Sequence, residues 1–305
     1  MSWTSVTSTP STTATSLGST EDGRDRRGDP TLSRRQRNLL ATLACTAIAS
    51  LAAGPPAASA APRAHSSIVG GSPADPAQWP YSVAIFRKGH LHCGGSVIGP
   101  EKVLTAGHCV EGFNLTNFQV IVGRPNLRDP AAGQSIGVAS GRVHPDFVQT
   151  GLHDVAVLNL ASPTNVQPVA VARPDENNAT TGVGALLRVA GYGAVTPFGL
   201  RLSPFLKTTF EQVRTDRRCL KAYTQDLFAP ESMICALGAP RKNGGRFKIH
   251  TSACSGDSGG PLVADTATGP VEVGTVSYGG ALCGLGAAPT VYSRVSASFD
   301  FINGN

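Results

Sequence analysis

The amino-acid sequence predicts an all-β fold, and three observations carry this prediction. The 305-residue chain is 41% hydrophobic, enough for a substantial core, but only 15% charged. Its 35 glycines and 22 prolines suit many short strands joined by turns. Short apolar or alternating runs recur between turn residues, and few stretches have the 3.6-residue period of a helix. We expect strands at residues 81–86, 95–98, 118–122, 155–160, 186–190, 262–264 and 271–276.

The N-terminal region is predicted to be a secretory leader. Residues 1–33 are rich in serine and threonine and then charged, so they have little apolar surface to bury. An arginine-rich segment at 34–37 precedes an apolar stretch at 39–53 that is too short to span a membrane. Small residues at 58–60 then form a cleavage site for a signal peptide. The arginine pair leaves both the twin-arginine and the general export route open, and the polar residues after it favour the general route.

The net charge of the chain depends strongly on this leader. The whole sequence carries a formal charge of +6, but seven arginines and four acidic residues lie before residue 68. The remainder therefore has 19 basic and 16 acidic residues, a net charge of +3. It contains no basic stripe interleaved with aromatic residues, so we expect neither a nucleic-acid partner nor, once the leader is removed, a membrane partner.

The cysteines agree with export to an oxidising compartment. Cys45 lies in the predicted leader, which leaves six cysteines and 15 conceivable disulfide pairings. A structural zinc site is disfavoured because no Cys-x-x-Cys pair occurs. The six remaining cysteines are Cys93, Cys109, Cys219, Cys235, Cys254 and Cys283.

Three short segments combine the residue types of a catalytic serine. They read TAGHC, HDVA and GDSGGP and contain, in that order, His108, Asp154 and Ser258. A serine hydroxyl is a poor nucleophile at neutral pH, so an adjacent imidazole must take its proton. A buried carboxylate then holds the imidazole in the right tautomer and stabilises the imidazolium that forms. Each segment alone could be a turn, a surface histidine or a structural aspartate, but together they predict acyl-transfer chemistry.

These segments resemble those of the trypsin/chymotrypsin-type secreted serine proteases. The resemblance extends from Ile68 to about Arg294. Four further motifs carry it: IVGG at the new N-terminus of activated zymogens, CGGS beside the histidine loop, SYG in the substrate-binding strand and PTVY in the wall of the specificity pocket. The resemblance implies two packed six-stranded antiparallel β-barrels, an active site in the cleft between them and a short C-terminal helix.

The resemblance also divides the chain. The polar segment at 173–181 reads as a linker between two halves of comparable size, so the base and orienter come from the first barrel and the nucleophile from the second. The expected parts are a leader with signal peptide at 1–60, a propeptide at 61–67 and a serine protease domain at 68–305, with barrels at about 68–180 and 181–305.

Cleavage before Ile68 is expected to activate the enzyme. In the family the freed amine folds inward and pairs with the aspartate beside the nucleophile, here Asp257. That buried pair orders the backbone around Gly256 and Ser258, whose N–H groups are implied to form the oxyanion hole. Residue 67 is serine rather than arginine or lysine, so a trypsin-like activator is not indicated.

Other roles follow from the resemblance alone. Ser277 is implied to support Asp154 by a hydrogen bond, and no cofactor or metal is needed. Arg124 stands where calcium-binding relatives have an acidic ligand, which disfavours calcium. The implied disulfides are Cys93–Cys109, Cys219–Cys235 and Cys254–Cys283.

The predicted specificity pocket is short and apolar. The resemblance implies that the residue six positions before the nucleophile forms its base. Here this residue is Ser252 rather than an aspartate, so selection of arginine or lysine is not expected. Thr290 stands where chymotrypsin-like members keep a glycine, and should shorten the pocket. We therefore expect medium apolar residues such as leucine, methionine or valine before the scissile bond, with phenylalanine and tyrosine as further candidates. The other expected pocket residues are Ala253, Ser277, Tyr278 and Gly279, with Tyr223 and Val276 in the walls.

An insertion complicates this prediction. Residues 236–253 form a longer segment than is usual in the family, and it carries the basic residues Arg241, Lys242, Arg246 and Lys248. It is interpreted as a solvated surface loop. Two alternatives stay open, namely a pocket rim that attracts acidic substrate residues and a segment that reshapes the cleft.

The leading hypothesis is a secreted, monomeric serine endopeptidase that acts on protein or peptide substrates and has a protein inhibitor as a further candidate partner. One alternative is a catalytically silent relative that binds a partner through the same cleft. Another is an esterase of small acyl substrates, against which the SYG motif argues because it resembles a strand that holds a peptide backbone.

Overall fold

The computed structural model describes residues 68–225, 227–241, 248–286 and 288–304, apart from the side chains of Asn177 and Asn178. The predicted leader, the predicted propeptide, Cys45 and two of the basic insertion residues, Lys242 and Arg246, lie outside these residues. Within them, every helix is too short or too polar to cross a bilayer.

Six antiparallel strands close the first barrel. They follow a two-residue strand, β1, and pair around the barrel in the order β2-β3-β4-β7-β6-β5. Inward-facing aliphatic side chains such as Val83, Ile85 and Leu158 fill the interior. The strands are β1 (Ser72–Pro73), β2 (Ser82–Arg87), β3 (His90–Gly99), β4 (Lys102–Thr105), β5 (Phe118–Val122), β6 (Gln134–Val143) and β7 (Ala156–Leu160).

Six more antiparallel strands close the second barrel. They pair in the order β9-β10-β11-β14-β13-β12, and pairing of β12 with β9 completes the ring. The prediction of two packed six-stranded antiparallel barrels is therefore confirmed, and each of the seven predicted runs overlaps a strand. The strands of this half are β8 (Ala170–Val171), β9 (Leu186–Gly191), β10 (Lys207–Val213), β11 (Met233–Gly238), β12 (Pro261–Thr266), β13 (Gly269–Tyr278) and β14 (Thr290–Arg294).

Helices are short and lie between or after the strands, including the expected one near the C-terminus. The segment at 173–181 contains a 3-10 turn and α2 rather than extended chain. The α-helices are α1 (Pro145–Thr150), α2 (Asn177–Thr181), α3 (Asp216–Tyr223) and α4 (Phe299–Asn303). The 3-10 helices are Pro76–Gln78, Gly107–Cys109, Leu115–Asn117, Pro174–Glu176 and Val295–Ser298.

The two ends of the described chain cross to the opposite barrel. Strand β1 precedes the first barrel in sequence but pairs with β10 of the second. Conversely, α4 follows the second barrel but buries Ile302 against Leu104 and Val157 of the first. Arg142 reinforces this contact, donating from Nη2 to the carbonyl oxygen of Phe301 at 2.6 Å. We refer to β1 and α4 as the terminal arms.

The six described cysteines form three disulfides, and their pairing is the one that the resemblance implied. One disulfide lies in the first barrel and two lie in the second, so none of these three joins the barrels. They are Cys93–Cys109, Cys219–Cys235 and Cys254–Cys283.

Candidate active site

His108 and Asp154 form a fixed pair at the edge of the first barrel. His108 lies in the 3-10 helix that follows β4, and Asp154 lies two residues before β7. The ring Nδ1 of His108 is 2.7 Å from Oδ2 of Asp154, and the backbone N–H of His108 donates to Oδ1 at 2.8 Å. Asp154 is only 3% exposed, whereas the His108 side chain is 38% exposed. The carboxylate thus occupies Nδ1 and leaves Nε2 as the ring nitrogen for a second partner.

The second barrel also holds Asp154. The hydroxyl of Ser277, on β13, donates to Oδ2 of Asp154 at 2.5 Å. The carboxylate therefore receives hydrogen bonds from both sides of the cleft, which fixes its position relative to each barrel.

Ser258 lies beside the histidine loop. Its carbonyl oxygen accepts a hydrogen bond from the backbone N–H of Gly94 at 2.8 Å, and Sγ of Cys109 is 3.8 Å from the same oxygen. Because Cys109 follows His108 directly and pairs with Cys93, the disulfide links the histidine loop to strand β3 next to Ser258. The structure thus brings together all three residues that the motifs singled out.

The turn before Ser258 needs glycine. Gly256 has φ +91°, and a Cβ there would come within 3.0 Å of the Leu202 side chain and 3.2 Å of the Gly193 backbone. Among the described residues, the backbone N–H groups of Gly256 and Ser258 donate to no protein acceptor. Two such neighbouring donors match the requirement of an oxyanion site.

Asp257 is fully buried between these two residues. Its Oδ1 accepts from the N–H of Gly193 at 2.7 Å, and its Oδ2 accepts from the N–H of Cys254 at 2.9 Å. Burial raises the pKa of its carboxyl to about 7, against the opposing effect of these two hydrogen bonds. The carboxylate leaves no room for a side chain at position 191, because a Cβ on Gly191 would lie 2.0 Å from Oδ1 of Asp257.

The N-terminal residues of the described chain lie beside the segment that precedes Asp257. Ile68 is fully buried and packs in the same apolar cluster as Ala253. Val69 pairs with Ser252, whose N–H donates to the Val69 carbonyl at 3.1 Å. The predicted activation residue and Val69 therefore lie against the segment at 252–253, which leads through Cys254 to Asp257.

A cavity of about 220 Å³ opens beside Ser258 and has the expected lining. Val276 forms part of its wall as expected, but Tyr223 does not. Tyr223 instead packs edge-on behind Tyr278, with ring centroids 5.3 Å apart, and its hydroxyl donates to the carbonyl of Pro289. The lining residues predicted from the sequence are Ser252, Ala253, Val276, Ser277, Tyr278, Gly279 and Thr290.

Glu211 is a residue of this site that the sequence analysis missed. It lies on β10, is fully buried, and accepts hydrogen bonds at Oε1 from the N–H of Ala253 (3.1 Å) and the hydroxyl of Thr290 (3.3 Å). Burial raises the pKa of its carboxyl to about 7. A signal was present, because Glu211 has the same alternation phase as the inward-facing Val213.

The basic insertion begins and ends at the rim of the cavity. The N–H of Arg241 donates to the carbonyl of Ile249 at 2.7 Å, and Pro240 pairs with His250. The N–H of His250 then donates to the carbonyl of Gly284, next to the Cys254–Cys283 disulfide. The described ends of the segment thus form a narrow ladder beside the cavity.

The described residues offer little to a metal ion. His108, Cys93 and Cys109 have potential ligand atoms within 4.8 Å of one another, but the two sulfurs form a disulfide and so provide no thiolate. Where a calcium loop was considered, the Arg124 side chain donates to the carbonyls of Ala132 (2.7 Å) and Pro130 (3.2 Å). Its guanidinium supplies a positive charge to that loop.

Comparison with known proteins gives one consistent result. The family model described as Trypsin matches residues 68–302. A trypsin from Saccharopolyspora erythraea is 32% identical over 77% of this chain and 96% of its own length. Kallikrein-2 from Homo sapiens is 30% identical over 77% of this chain and 88% of its own. Glucanase inhibitor protein 3 from Phytophthora infestans is 34% identical over 70% of this chain and 78% of its own.

Proposed function

Because the chain belongs to the trypsin family and is a serine endopeptidase, we propose that His108, Asp154 and Ser258 carry out its reaction. The observation that carries this assignment is the position of Asp154. Its carboxylate bonds to the ring Nδ1 and the backbone N–H of His108 and accepts from the hydroxyl of Ser277 across the cleft. A carboxylate held in this way serves to orient an imidazole beside a nucleophile.

The proposed mechanism follows from these positions. Ser258 Oγ attacks the scissile carbonyl as Nε2 of His108 takes its proton, and Asp154 stabilises the resulting imidazolium. The N–H groups of Gly256 and Ser258 stabilise the negative charge on the carbonyl oxygen. His108 then protonates the leaving amine, an acyl-enzyme forms on Ser258, and water attacks it by the same steps in reverse.

Activation by cleavage before Ile68 is part of the proposal. It is supported by Asp257, a fully buried carboxyl that receives two backbone hydrogen bonds while its burial favours the neutral form. An ammonium group at Ile68 would supply the missing positive charge and stabilise the ionised carboxylate. Because Ser67 precedes the cut, the activating enzyme is not expected to have trypsin-like specificity.

The proposed substrates carry medium apolar residues before the scissile bond. Ser252 provides no charge at the base of the cavity, and the hydroxyls of Ser252 and Thr290 lie 3.2 Å apart across its floor. Thr290 therefore shortens the space, while Ala253 and Val276 give it apolar walls. Leucine, methionine and valine match this length.

We also propose that the enzyme acts outside the cell as a monomer. The predicted leader at 1–60 and the propeptide at 61–67 would be removed, which leaves the domain at 68–305. Three disulfides in a domain of this size support an oxidising compartment.

A cleavage-site profile tests the proposed function directly. The protein beginning at Ile68 is incubated with a diverse peptide mixture, with the Ser258→Ala variant as control. Serine-dependent cuts after leucine, methionine, valine or phenylalanine are expected. Cuts after arginine or lysine would overturn the proposed pocket preference, and no cuts from folded, disulfide-bonded protein would overturn the endopeptidase mechanism.

A second candidate function is binding without catalysis. The similarity to a protein named a glucanase inhibitor favours it, since that name describes a binding role. Labelling with a serine-directed phosphonate distinguishes the two, because only an activated Ser258 reacts with it. We expect stoichiometric labelling of the protein that begins at Ile68; failure of the folded protein to label would favour the binding role.

A further inference from the structure

The floor of the cavity beside Ser258 rests on a buried carboxyl. Glu211 lies outside the cavity lining, but two of its hydrogen-bond donors, the N–H of Ala253 and the hydroxyl of Thr290, belong to lining residues. Both donors reach Oε1. Glu211 is therefore separated from the interior of the cavity by a single layer of atoms.

Two hydroxyl groups of this layer are hydrogen-bonded within the protein. Ser252 Oγ donates to the carbonyl of Ala253 at 2.7 Å, and Thr290 Oγ1 donates to Glu211 at 3.3 Å. Each hydroxyl has one proton and two lone pairs. With the Thr290 proton directed at Glu211, the Ser252 proton goes either to the Ala253 carbonyl or to Thr290 Oγ1, 3.2 Å away, and both protons then stay within the protein. The two oxygens have only acceptor capacity left for a group inside the cavity.

The position of the Thr290 proton depends on the charge of Glu211. An ionised carboxylate only accepts hydrogen bonds and fixes the Thr290 proton toward itself. A protonated carboxyl can donate to Thr290 instead, which releases the threonine proton toward the cavity. The carboxylate also places a negative charge behind the floor, in a region of low dielectric constant where it acts strongly on a nearby cation.

We propose that Glu211 is a specificity-determining residue that, when ionised, shifts the choice of the pocket from medium apolar side chains toward side chains of the same length that end in a hydrogen-bond donor, an ammonium or an amide. The inference rests on the proposed function, since it concerns the residue that precedes the bond cut by Ser258. It adds a second class of substrate to the medium apolar side chains of the proposed function. The apolar side chains are accepted when Glu211 is protonated, and the donor-ended side chains of the same length when it is ionised.

The other groups that face Glu211 do not replace it in this role. Tyr292 on β14 and Tyr223 on α3 both have pKa values raised by burial, to about 12 for Tyr223, so they stay neutral near pH 7. Asp257 is a second carboxyl nearby, and its charge raises the pKa of Glu211. Asp257 acts through the nucleophile loop and affects all substrates alike, whereas Glu211 acts through the floor of the cavity.

The test compares two substrates that differ in one atom. Peptides with ornithine or norleucine before the scissile bond have side chains of equal length, one ending in an ammonium and the other in a methyl group. The ratio of their kcat/KM values cancels the pH dependence of the catalytic steps, which is the same for both substrates. It is measured from about pH 5.5 to about pH 8.5, a range on both sides of the pKa of Glu211.

In the unmodified enzyme, the ornithine-to-norleucine ratio is expected to rise about tenfold over this range, the difference between a neutral and a charge-assisted hydrogen bond. Glu211→Gln should flatten the rise to below about twofold. Glu231→Gln, the same change at an exposed site, should leave it intact. A flat ratio in the unmodified enzyme, or an unchanged rise in Glu211→Gln, would overturn the proposal. Hydrolysis of neither peptide would instead count against the proposed function.

Two further measurements keep the proposal testable. If Glu211→Gln does not fold, Thr290→Val removes the hydroxyl between Glu211 and the cavity, and the rise should shrink to below about threefold. In Ser258→Ala protein, binding of peptides that end in ornithine or norleucine can be measured by calorimetry without any catalysis. The affinity for the ornithine peptide should increase relative to that for the norleucine peptide as the pH rises. A ratio of affinities that does not change with pH would overturn the proposal independently of hydrolysis.

Discussion

The interiors of the two barrels differ in the groups that they bury. Among the described residues, the core of the first barrel is aliphatic and aromatic, and its buried carboxyl, Asp154, lies at the edge that faces the cleft. The second barrel and its loops bury Lys207, Glu211, Asp257 and Glu272. The first barrel thus presents a pair fixed by geometry, whereas the second buries several carboxyl groups whose charge can change.

The contact between the barrels shows the same difference. The hydroxyl of Ser96, on β3, donates to Oε2 of Glu272, on β13. Burial raises the pKa of the Glu272 carboxyl to about 8, so it is the second barrel that contributes the titratable partner. Fixed geometry on one side and adjustable charge on the other suit an enzyme that has one chemistry but needs control over activation and substrate choice.

The largest expected effect comes from breaking the fixed pair. In Asp154→Asn an amide replaces the carboxylate, so His108 loses the partner that selects its tautomer, and kcat should fall about 10⁴-fold. Hydrolysis by the protein beginning at Ile68 measures this, with Ser277→Ala as a milder control because it leaves the carboxylate in place. A loss below tenfold would contradict the role given to Asp154.

The next effect concerns the second barrel. Asp257→Asn removes the carboxylate proposed to pair with the amine of Ile68, and kcat/KM after cleavage should fall about 10²–10³-fold, the cost of losing one partner of a buried ion pair. Kinetics of the cleaved variant give this value. Undiminished activity would show that the nucleophile loop is ordered without the pair.

A core substitution in the first barrel should act without regard to pH. Leu158 is fully buried in the aliphatic core, and Leu158→Ala should lower the free energy of unfolding by about 2–5 kcal/mol because it leaves a cavity. Urea titration at pH 5 and pH 8 should give the same loss. A loss that differs between the two would mean that titratable groups are coupled to this core.

The second barrel should instead make stability depend on pH. Burial raises the pKa values of Glu211 and Asp257 to about 7 and that of Glu272 to about 8, so the folded state holds more protons than the unfolded state near neutrality. The free energy of unfolding of uncleaved protein carrying Ser258→Ala should therefore fall steadily between pH 5 and pH 8. Adding Glu272→Gln should reduce this loss. A rise in the stability of the Ser258→Ala protein over the same pH range would contradict the prediction.

The smallest expected effect has the opposite sign and lies in the first barrel. Burial lowers the pKa of His144, so the unfolded state holds the extra proton and stability falls as the pH drops below about 6.5. His144→Asn keeps a side-chain acceptor for the N–H of Asp146 while removing the titration. In urea titrations, this variant should lose about 0.5 kcal/mol less unfolding free energy than the unmodified protein as the pH drops below about 6.5. An equal loss in both proteins would show that His144 is not its source.

Much of the fold and the site could be predicted because the decisive residues lie in short segments with demanding chemistry. The histidine, aspartate and serine segments each specify a local structure, and alternation placed the strands to within a few residues. The partners of Glu211 could not be predicted, since they come from β14 and from the loop before Ser258 and meet only after the barrel closes. Tyr223 was placed in the pocket wall wrongly, because Tyr278 stands in front of it.

The terminal arms were also beyond prediction from the sequence. Pairing of β1 with β10 joins residues more than 130 positions apart, and nothing in the local pattern of β1 indicates which barrel it will join. The leader and propeptide boundaries stay predictions, because they lie outside the described residues.

Each terminal arm packs on the barrel to which it does not belong in sequence. The two barrels are therefore arranged like two domain-swapped subunits, although a single chain forms both. The three described disulfides each stay within one barrel, so the segment at 173–181 is the covalent connection between the halves. Its physical role is that of a tether, which keeps each half at high effective concentration near the other. Docking of the halves then depends on the exchanged arms and the shared face rather than on any cross-link, and formation of the cleft becomes an intramolecular association step.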